Sequence, residues 1–380
     1  MTNVQIAVKT IVLHEVFGLS EPIPGLPVEL EIPATRSPYC PAINPFFVFT
    51  GDLVARVFRS YAARENIMLV GEKGTGKSSF VQQFCARLNL PLMVINGGPG
   101  LDETYLMGSK TLEDGTVKAV DGVLSYCVRH GIPVLIDEIA SIKPGVLVSI
   151  NDVLNGDQVI TLKHHGLDPT VTPDQLALLE GNMTIKRSPQ FRLFATDNTG
   201  GKVSKDARYN GVQTQNSAVR SRWTTFKVGF MKPALELKAL MGATDNKLEL
   251  TVAKQLVEFA IRARASFEMG ELYDTVSFRE LQRWGRKALV YGEWSETLTD
   301  ADDNPVWMAD LDTAFVDAVY TAMEETDQAV IANIYELVIG TALTLPEEYS
   351  DTASKFLTDL ENSELDWGAL DAVDDVDMAA

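Results

Sequence analysis

Short apolar runs alternate with amphipathic stretches through the first 230 residues. The runs at 67–70, 92–95, 132–136, 191–196 and 224–228 are four to six residues long and bounded by polar or glycine-rich segments. That is the pattern of strands buried on both faces of a sheet. Between them the apolar spacing becomes helical. Leu53, Val54, Val57, Phe58 and Tyr61 share one face behind Thr50 as a possible cap. Phe80, Phe84 and Leu88 recur at spacing four beside Val81 and Cys85. Val146, Leu147, Ile150 and Leu154 lie between Pro144 and Gly156, a start and a stop signal. Strands alternating with helices predict an α/β fold with a parallel sheet.

The pattern differs at both ends. Val4, Ile6 and Val8 alternate as in a strand, and residues 21–45 hold seven prolines, which predicts an extended segment that cannot be helical. From Pro233 onward the spacing is helical. Leu250, Ala253, Leu256, Val257, Ala260 and Ile261 form a stripe, Ser277 and Glu280 form a capping box opening a helix to about Val290, and two more helices fit 308–326 and 328–341. The last forty residues hold eleven acids and one lysine, Lys355. The expected organisation is an N-terminal extended segment (1–45), an α/β nucleotide-binding domain (46–229), a smaller all-α lid domain (230–343) and an acidic tail (344–380). Segments near 109–120, centred on an Asp-Gly turn, and at 161–190, polar with a short helical pattern at 173–180, read as inserts in the α/β domain.

The first buried strand runs into Gly71-Glu72-Lys73-Gly74-Thr75-Gly76-Lys77-Ser78, a G-x-x-x-x-G-K-S string followed by Ser79 and a helix. Strand, glycine loop and helix together make this a phosphate-binding P-loop. Glycines let successive backbone N–H groups curl toward phosphate oxygens, and the helix N-terminus adds partial positive charge. Lys77 is expected to reach the β- and γ-phosphates, and Ser78 to give its hydroxyl to Mg²⁺.

The third strand ends in Asp137-Glu138. A buried strand delivers these acids beside the P-loop, where Asp137 is expected to hold Mg²⁺ and Glu138 to orient and deprotonate the attacking water. The fourth strand ends in Asp197-Asn198, and Asn198 can position that water without adding charge. Arg222, just before the fifth strand, is a candidate arginine finger, with Arg220 as the second choice. Arg279, in the first turn of a lid helix, can reach back to the phosphates.

Composition then narrows the function. The 380 residues are 46% hydrophobic, with net charge −19 and pI about 4.6. Such a surface argues against nucleic acid as a partner, and Lys186, Arg187, Lys202, Lys205 and Arg208 are the only basic clusters set against it. Cys40, Cys85 and Cys127 form no C-x-x-C and read as buried thiols of a reducing compartment. The adjacent His164 and His165 have no supporting metal-ligand spacing. No apolar run is long enough to span a membrane and no signal peptide is evident, so a cytoplasmic location is expected.

With these residues placed, the chain resembles the AAA+ ATPases of the MoxR/dynein-related type, and most of all the CobS-like cobaltochelatase ATPase subunits. The strings GEKGTGKS, VLIDEI, FRLFATDNT, RSRW and SFRELQRW carry the resemblance, with the hairpin before DGVLSYCV and the YNGVQTQN stretch, over about 16–340. It implies a P-loop fold with a five-stranded parallel sheet and a ring, usually a hexamer, with ATP at subunit interfaces. It also implies Lys77 as Walker A lysine, Asp137 and Glu138 as Walker B acids, Asn198 as sensor 1, Arg222 as finger and Arg279 as sensor 2. The inserts would project toward the pore or the partner face. The chain departs from the family pattern at Asp197, Ser221 and Phe278, where Ala, Asp and Pro are usual. The expected role is a motor that remodels a protein partner, often one with a von Willebrand A domain. The alternatives are a chelatase subunit, an ATP-gated assembly scaffold and a DNA-translocating motor. Leu365, Trp367, Leu370 and Val373 among the tail acids allow a docking segment as well as a solvated tail.

Overall fold

The structure is a computed structural model that describes residues 7–113, 116–164, 172, 184–198, 217–299 and 305–345. The expectations for the first strand residues Val4 and Ile6, the 173–180 helix, the 199–216 loop and the acidic tail lie outside them.

In chain order, β1 (Val8–Val12), α1 (Leu13–Val16) and β2 (Glu29–Pro33) lead into α2 (Gly51–Ala62). Then come β3 (Ile67–Val70), α3 (Lys77–Arg87), β4 (Met93–Asn96) and α4 (Glu103–Met107). A hairpin, β5 (Gly108–Glu113) with β6 (Thr116–Asp121), is followed by α5 (Val123–His130), β7 (Val134–Asp137), α6 (Pro144–Ser149) and α7 (Asn151–Asn155). Next are β8 (Val159–Thr161), β9 (Thr184–Lys186), β10 (Leu193–Asp197), α8 (Ser217–Arg220) and β11 (Thr224–Lys227). The lid holds α9 (Pro233–Ala243), α10 (Leu250–Met269), α11 (Phe278–Tyr291), β12 (Glu293–Thr299), β13 (Pro305–Met308), α12 (Leu311–Ala318) and α13 (Glu325–Ile339).

The central sheet is five-stranded, in the order β11-β3-β10-β7-β4, and every pairing in it is parallel. Alternate residues of β3 face opposite cores. Ile67 and Leu69 pack with α2 and α3 residues such as Val57, Phe80 and Phe84, whereas Met68 packs with Leu124, Val128 and Leu154 on the other face. Both faces are therefore covered, which is why the strands read as continuous apolar runs rather than alternations.

Several local expectations are corrected. Thr50 stands at the N-cap of α2, but its side chain makes no capping bond. The single helix expected after Pro144 is two, because Ile150 leaves helical geometry at φ −98°, ψ 17°. In the α10 stripe Ala253, Leu256, Val257 and Ala260 are buried, while Leu250 and Ile261 are exposed. The buried face continues instead through Ala263 and Phe267, one turn and two turns beyond Ala260. The helix expected over 308–326 stops at Ala318 and becomes a 3₁₀ turn, Tyr320–Ala322. The lid core is helical, but it carries the β12–β13 hairpin, in which Trp294 pairs opposite Trp307. Trp294 and Leu298 are the only large apolar residues in Glu293–Thr299, too few to mark a strand in the sequence.

Trp284, Phe259, Phe315 and Tyr335 form an aromatic cluster in the lid, with ring centroids 4.7–5.9 Å apart. Beside it, Arg264 of α10 makes two 2.7 Å bonds to the Glu236 carboxylate of α9, both side chains being buried, and a 2.8 Å bond to the Val276 carbonyl. Removing one charge from such a pair leaves the other buried and uncompensated. Glu236→Ala should therefore destabilise the lid by about 3–5 kcal/mol, read by urea denaturation, and replacing both residues by apolar ones of similar volume should recover much of that loss.

Candidate nucleotide site at the carboxyl ends of the sheet

The topology brings the separated motifs together. β10 lies between β3 and β7, so Asp197 and Asn198 emerge between the P-loop and the Asp137-Glu138 pair. Ligands of open parallel sheets bind at these carboxyl ends.

The P-loop takes its shape from its glycines and from the lid. Gly76 is left-handed at φ 83° and is the N-cap of α3. Gly74 is also left-handed, at φ 76°, and a Cβ there would sit 1.9 Å from the Ser277 Cβ. Only glycine lets the loop pass this close to the start of α11. Ser277 is itself fixed by the expected capping box. Its Oγ accepts from the Arg279 amide at 3.2 Å, and Glu280 accepts from the Ser277 amide at 2.9 Å. A second contact joins the same parts: Lys73 Nζ lies 3.3 Å from Asp274 Oδ2. Asp274 is mounted in turn by Asp327, a buried residue of α13 that accepts from the Tyr273 and Asp274 amides at 2.8 and 3.1 Å.

Lys77 is buried, and its ammonium donates to the Gly71 and Glu72 carbonyls at 2.9 and 2.8 Å. Burial pushes its proton affinity below that of an ordinary lysine, while Asp137, Glu72, Asp197 and Glu138 oppose the shift. The ammonium thus sits in a field of four carboxylates. Asp197 is 1% exposed, and its nearness to Lys77 makes it part of the site. In the sequence Asp197 stands out only as a departure from the family pattern.

Ser78 Oγ donates to Asp137 Oδ1 at 2.6 Å. A hydroxyl and a carboxylate brought together in this way are hard oxygen donors of the kind magnesium takes alongside phosphates. Among the described residues no group of three or more His, Cys, Asp and Glu could hold a metal by itself. Thr196 completes this corner and was missed in the sequence. Its hydroxyl donates to Asp137 Oδ1 and accepts from the Glu138 amide, the latter at 3.0 Å. Glu138 has φ 54°, a conformation rare for a side-chain-bearing residue. The Thr196 bond and the 3₁₀ turn that follows hold it there.

Thr75, Gly76 and Ser79 line a cleft of about 450 Å³ that runs from the P-loop between the 44–56 segment and the lid. Phe47, Val228, Phe278 and Arg279 line it too, so the structure places Arg279 on the same side as the P-loop of its own chain.

Arg222 lies elsewhere. Thr224 pairs with Ile67 at the start of β3, and Lys227 pairs with Val70 at its end. Arg222 precedes the first of these pairs and the P-loop follows the last. Four residues at roughly 3.3 Å each separate the two by roughly 13 Å of strand. Within one chain, then, the structure brings together Lys77, Ser78, Asp137, Glu138, Thr196 and Asp197, puts Asn198 at their rim and Arg279 across the cleft, and sets Arg222 at the opposite end of the sheet.

A P-loop strand separated from its acidic strand by one intervening strand, with a helical lid over the loop, defines a P-loop NTPase of AAA+ architecture. Residues 66–222 match the model of the AAA domain family, dynein-related subfamily. The relatives are MoxR-like AAA+ ATPases. The chain is 27% identical over 345 residues to the aerobic cobaltochelatase subunit CobS of a Sinorhizobium species, covering 88% of this chain and 92% of that protein. It is 24% identical to protein CbbQ of Hydrogenophilus thermoluteolus, covering 60% and 76%, and 27% identical to protein NorQ of Paracoccus denitrificans, covering 58% and 72%. No helix among the described residues is long and apolar enough to cross a membrane. The three cysteines are free and buried, and burial pushes the Cys127 thiol up to about 11.

Proposed function

We propose that this chain is the ATPase subunit of a ring, usually a hexamer in this class, which hydrolyses ATP at subunit interfaces to remodel a protein partner. The observation that carries the reading is the division of the site: Lys77, Ser78, Asp137 and Glu138 at one end of the sheet, Arg222 at the other. The α/β part is taken as 46–229 and the lid as 230–343, joined through the cleft that Arg279 lines.

In this reading Gly71–Ser79 wrap the phosphates with backbone amides, and Lys77 exchanges its carbonyl partners for β- and γ-phosphate oxygens. Ser78 and Asp137 would hold Mg²⁺, which supplies positive charge against those oxygens. Glu138 takes the proton of the attacking water, and Asn198 orients that water. Arg279 binds the phosphates from the lid, so nucleotide state is coupled to lid angle. Arg222 reaches the γ-phosphate of the neighbouring subunit, where its charge counts most as the transition state forms.

End-to-end likeness to a cobaltochelatase subunit favours a second reading, that the partner belongs to a chelatase-like complex. The first test is nucleotide binding. Lys77→Ala should weaken ATP binding by an order of magnitude or more in calorimetry while the fold persists by circular dichroism. ATP binding and turnover at the level of the unaltered chain would overturn the assignment.

A further inference from the structure

Arg222 is not a free side chain. Its Nε donates to Asn155 Oδ1, and its Nη1 donates to the Ala218 carbonyl at 2.6 Å. Two of three guanidinium nitrogens are thereby engaged, which fixes the plane of the group. Asn155 is the last residue of α7, followed by left-handed Gly156, and its side chain is exposed. A second asparagine mounts both partners. Asn66 is 7% exposed, and its Nδ2 donates to the Leu154 carbonyl at 2.7 Å and to the Arg222 carbonyl at 3.1 Å. The Asn66 carbonyl in turn accepts from the Thr224 amide at 2.8 Å. One buried amide therefore ties the residue before Asn155 to Arg222 itself, directly ahead of β3. Arg64, Asn155, Arg222 and Trp223 line a cavity of about 360 Å³ around this bracket.

We propose that Asn155, mounted by Asn66, is a positioning residue that orients the Arg222 guanidinium and so acts on the nucleotide of the neighbouring subunit. This rests on the reading of Arg222 as a finger supplied to that neighbour. An arginine side chain has four rotatable bonds, and an unrestrained one must be ordered each time it engages a phosphate. Asn155 removes part of that ordering before the neighbour's nucleotide arrives, which is pre-organisation of a charge aimed at a transition state. The effect falls on kcat rather than on ATP binding, because the site that binds ATP lies at the far end of β3.

The bracket also joins two interfaces. Asn66 opens β3, and the P-loop closes it. A change at the P-loop of one subunit therefore has a four-residue strand between it and the mount of the arginine that serves the next.

Asn155 is the residue to alter, since its side chain is exposed, whereas Asn66 is buried and holds the Leu154 and Arg222 carbonyls. Asn155→Leu, which keeps the number and branching of the side-chain heavy atoms and removes the acceptor, should lower kcat by about tenfold or more with KM for ATP and melting temperature little changed. Asn155→Asp keeps an acceptor oxygen and should retain much of the rate. Mixing inactive Glu138→Gln subunits with Asn155→Leu subunits should raise turnover, because some interfaces then pair an intact Glu138 with an intact Asn155. A wild-type kcat in Asn155→Leu, or an Asp variant as slow as the Leu variant, overturns the proposal. So does the absence of rescue in mixtures that do rescue Arg222→Ala. If Arg222→Ala is not rescued either, the finger reading falls and this inference falls with it.

Discussion

Arg222→Ala should lower the rate of ATP hydrolysis by about 10³–10⁵-fold, the range an arginine finger contributes. ATP affinity should change little, because nothing in the 450 Å³ cleft beside the P-loop involves Arg222. The geometry makes the prediction specific. An arginine at the amino end of β11 is at the wrong end of the sheet to serve its own Lys77, so under the finger reading its loss is felt at another subunit's site. The decisive measurement is a mixing series. Arg222→Ala subunits keep a complete Glu138, and Glu138→Gln subunits keep a complete Arg222. Mixed rings contain interfaces with both, and turnover should rise from near zero to a maximum at intermediate ratios. A flat response across all ratios, with mixed assembly verified by mass, would mean that Arg222 does not act across the interface.

Glu138→Gln should abolish turnover by about 10²–10⁴-fold, the usual contribution of a positioned general base, while leaving nucleotide binding intact. The amide is nearly isosteric, and the backbone of residue 138 is held by the Thr196 hydroxyl rather than by the carboxylate. The left-handed turn should therefore survive, and with it the Asp137 position that Ser78 and Thr196 share. Single-turnover measurements would show ATP bound and not cleaved; hydrolysis at the unaltered rate would remove Glu138 from the mechanism. The same trapped form is the tool for finding the client. A pull-down in ATP, compared with one in ADP, should retain proteins that bind the ATP-loaded form.

Much of the site was legible in the sequence because each motif has a local cause. A glycine string between a buried run and an amphipathic helix, and acids at the end of a buried run, declare their roles through a few neighbouring residues. The sheet and the lid helices followed from periodicity in the same way. What was illegible depends on residues far apart in the chain. Thr196 supports Asp137 from another strand, 59 residues away in the chain. Asn66 meets Leu154 and Arg222 at separations of 88 and 156. Lys73 meets Asp274 across 201 residues. Nothing in the local pattern around any of these predicts its partner. The β12–β13 hairpin was missed for a different reason: two short strands on a lid surface bury too little to impose an alternation. Asp197 stood in plain view, but its side of the sheet could be assigned only once β10 was seen between β3 and β7.

The contact between Gly74 and Ser277 has a mechanical meaning. A loop and a helix start that touch with no room for one extra carbon cannot be pressed closer, and they can separate only by opening a gap. The point of contact therefore serves as a fulcrum. Any rocking of the lid would turn about it, with the short arm at Arg279 over the cleft and the long arm running out through α11 to the Trp294–Trp307 hairpin. A small shift at Arg279 would then become a larger sweep at that hairpin.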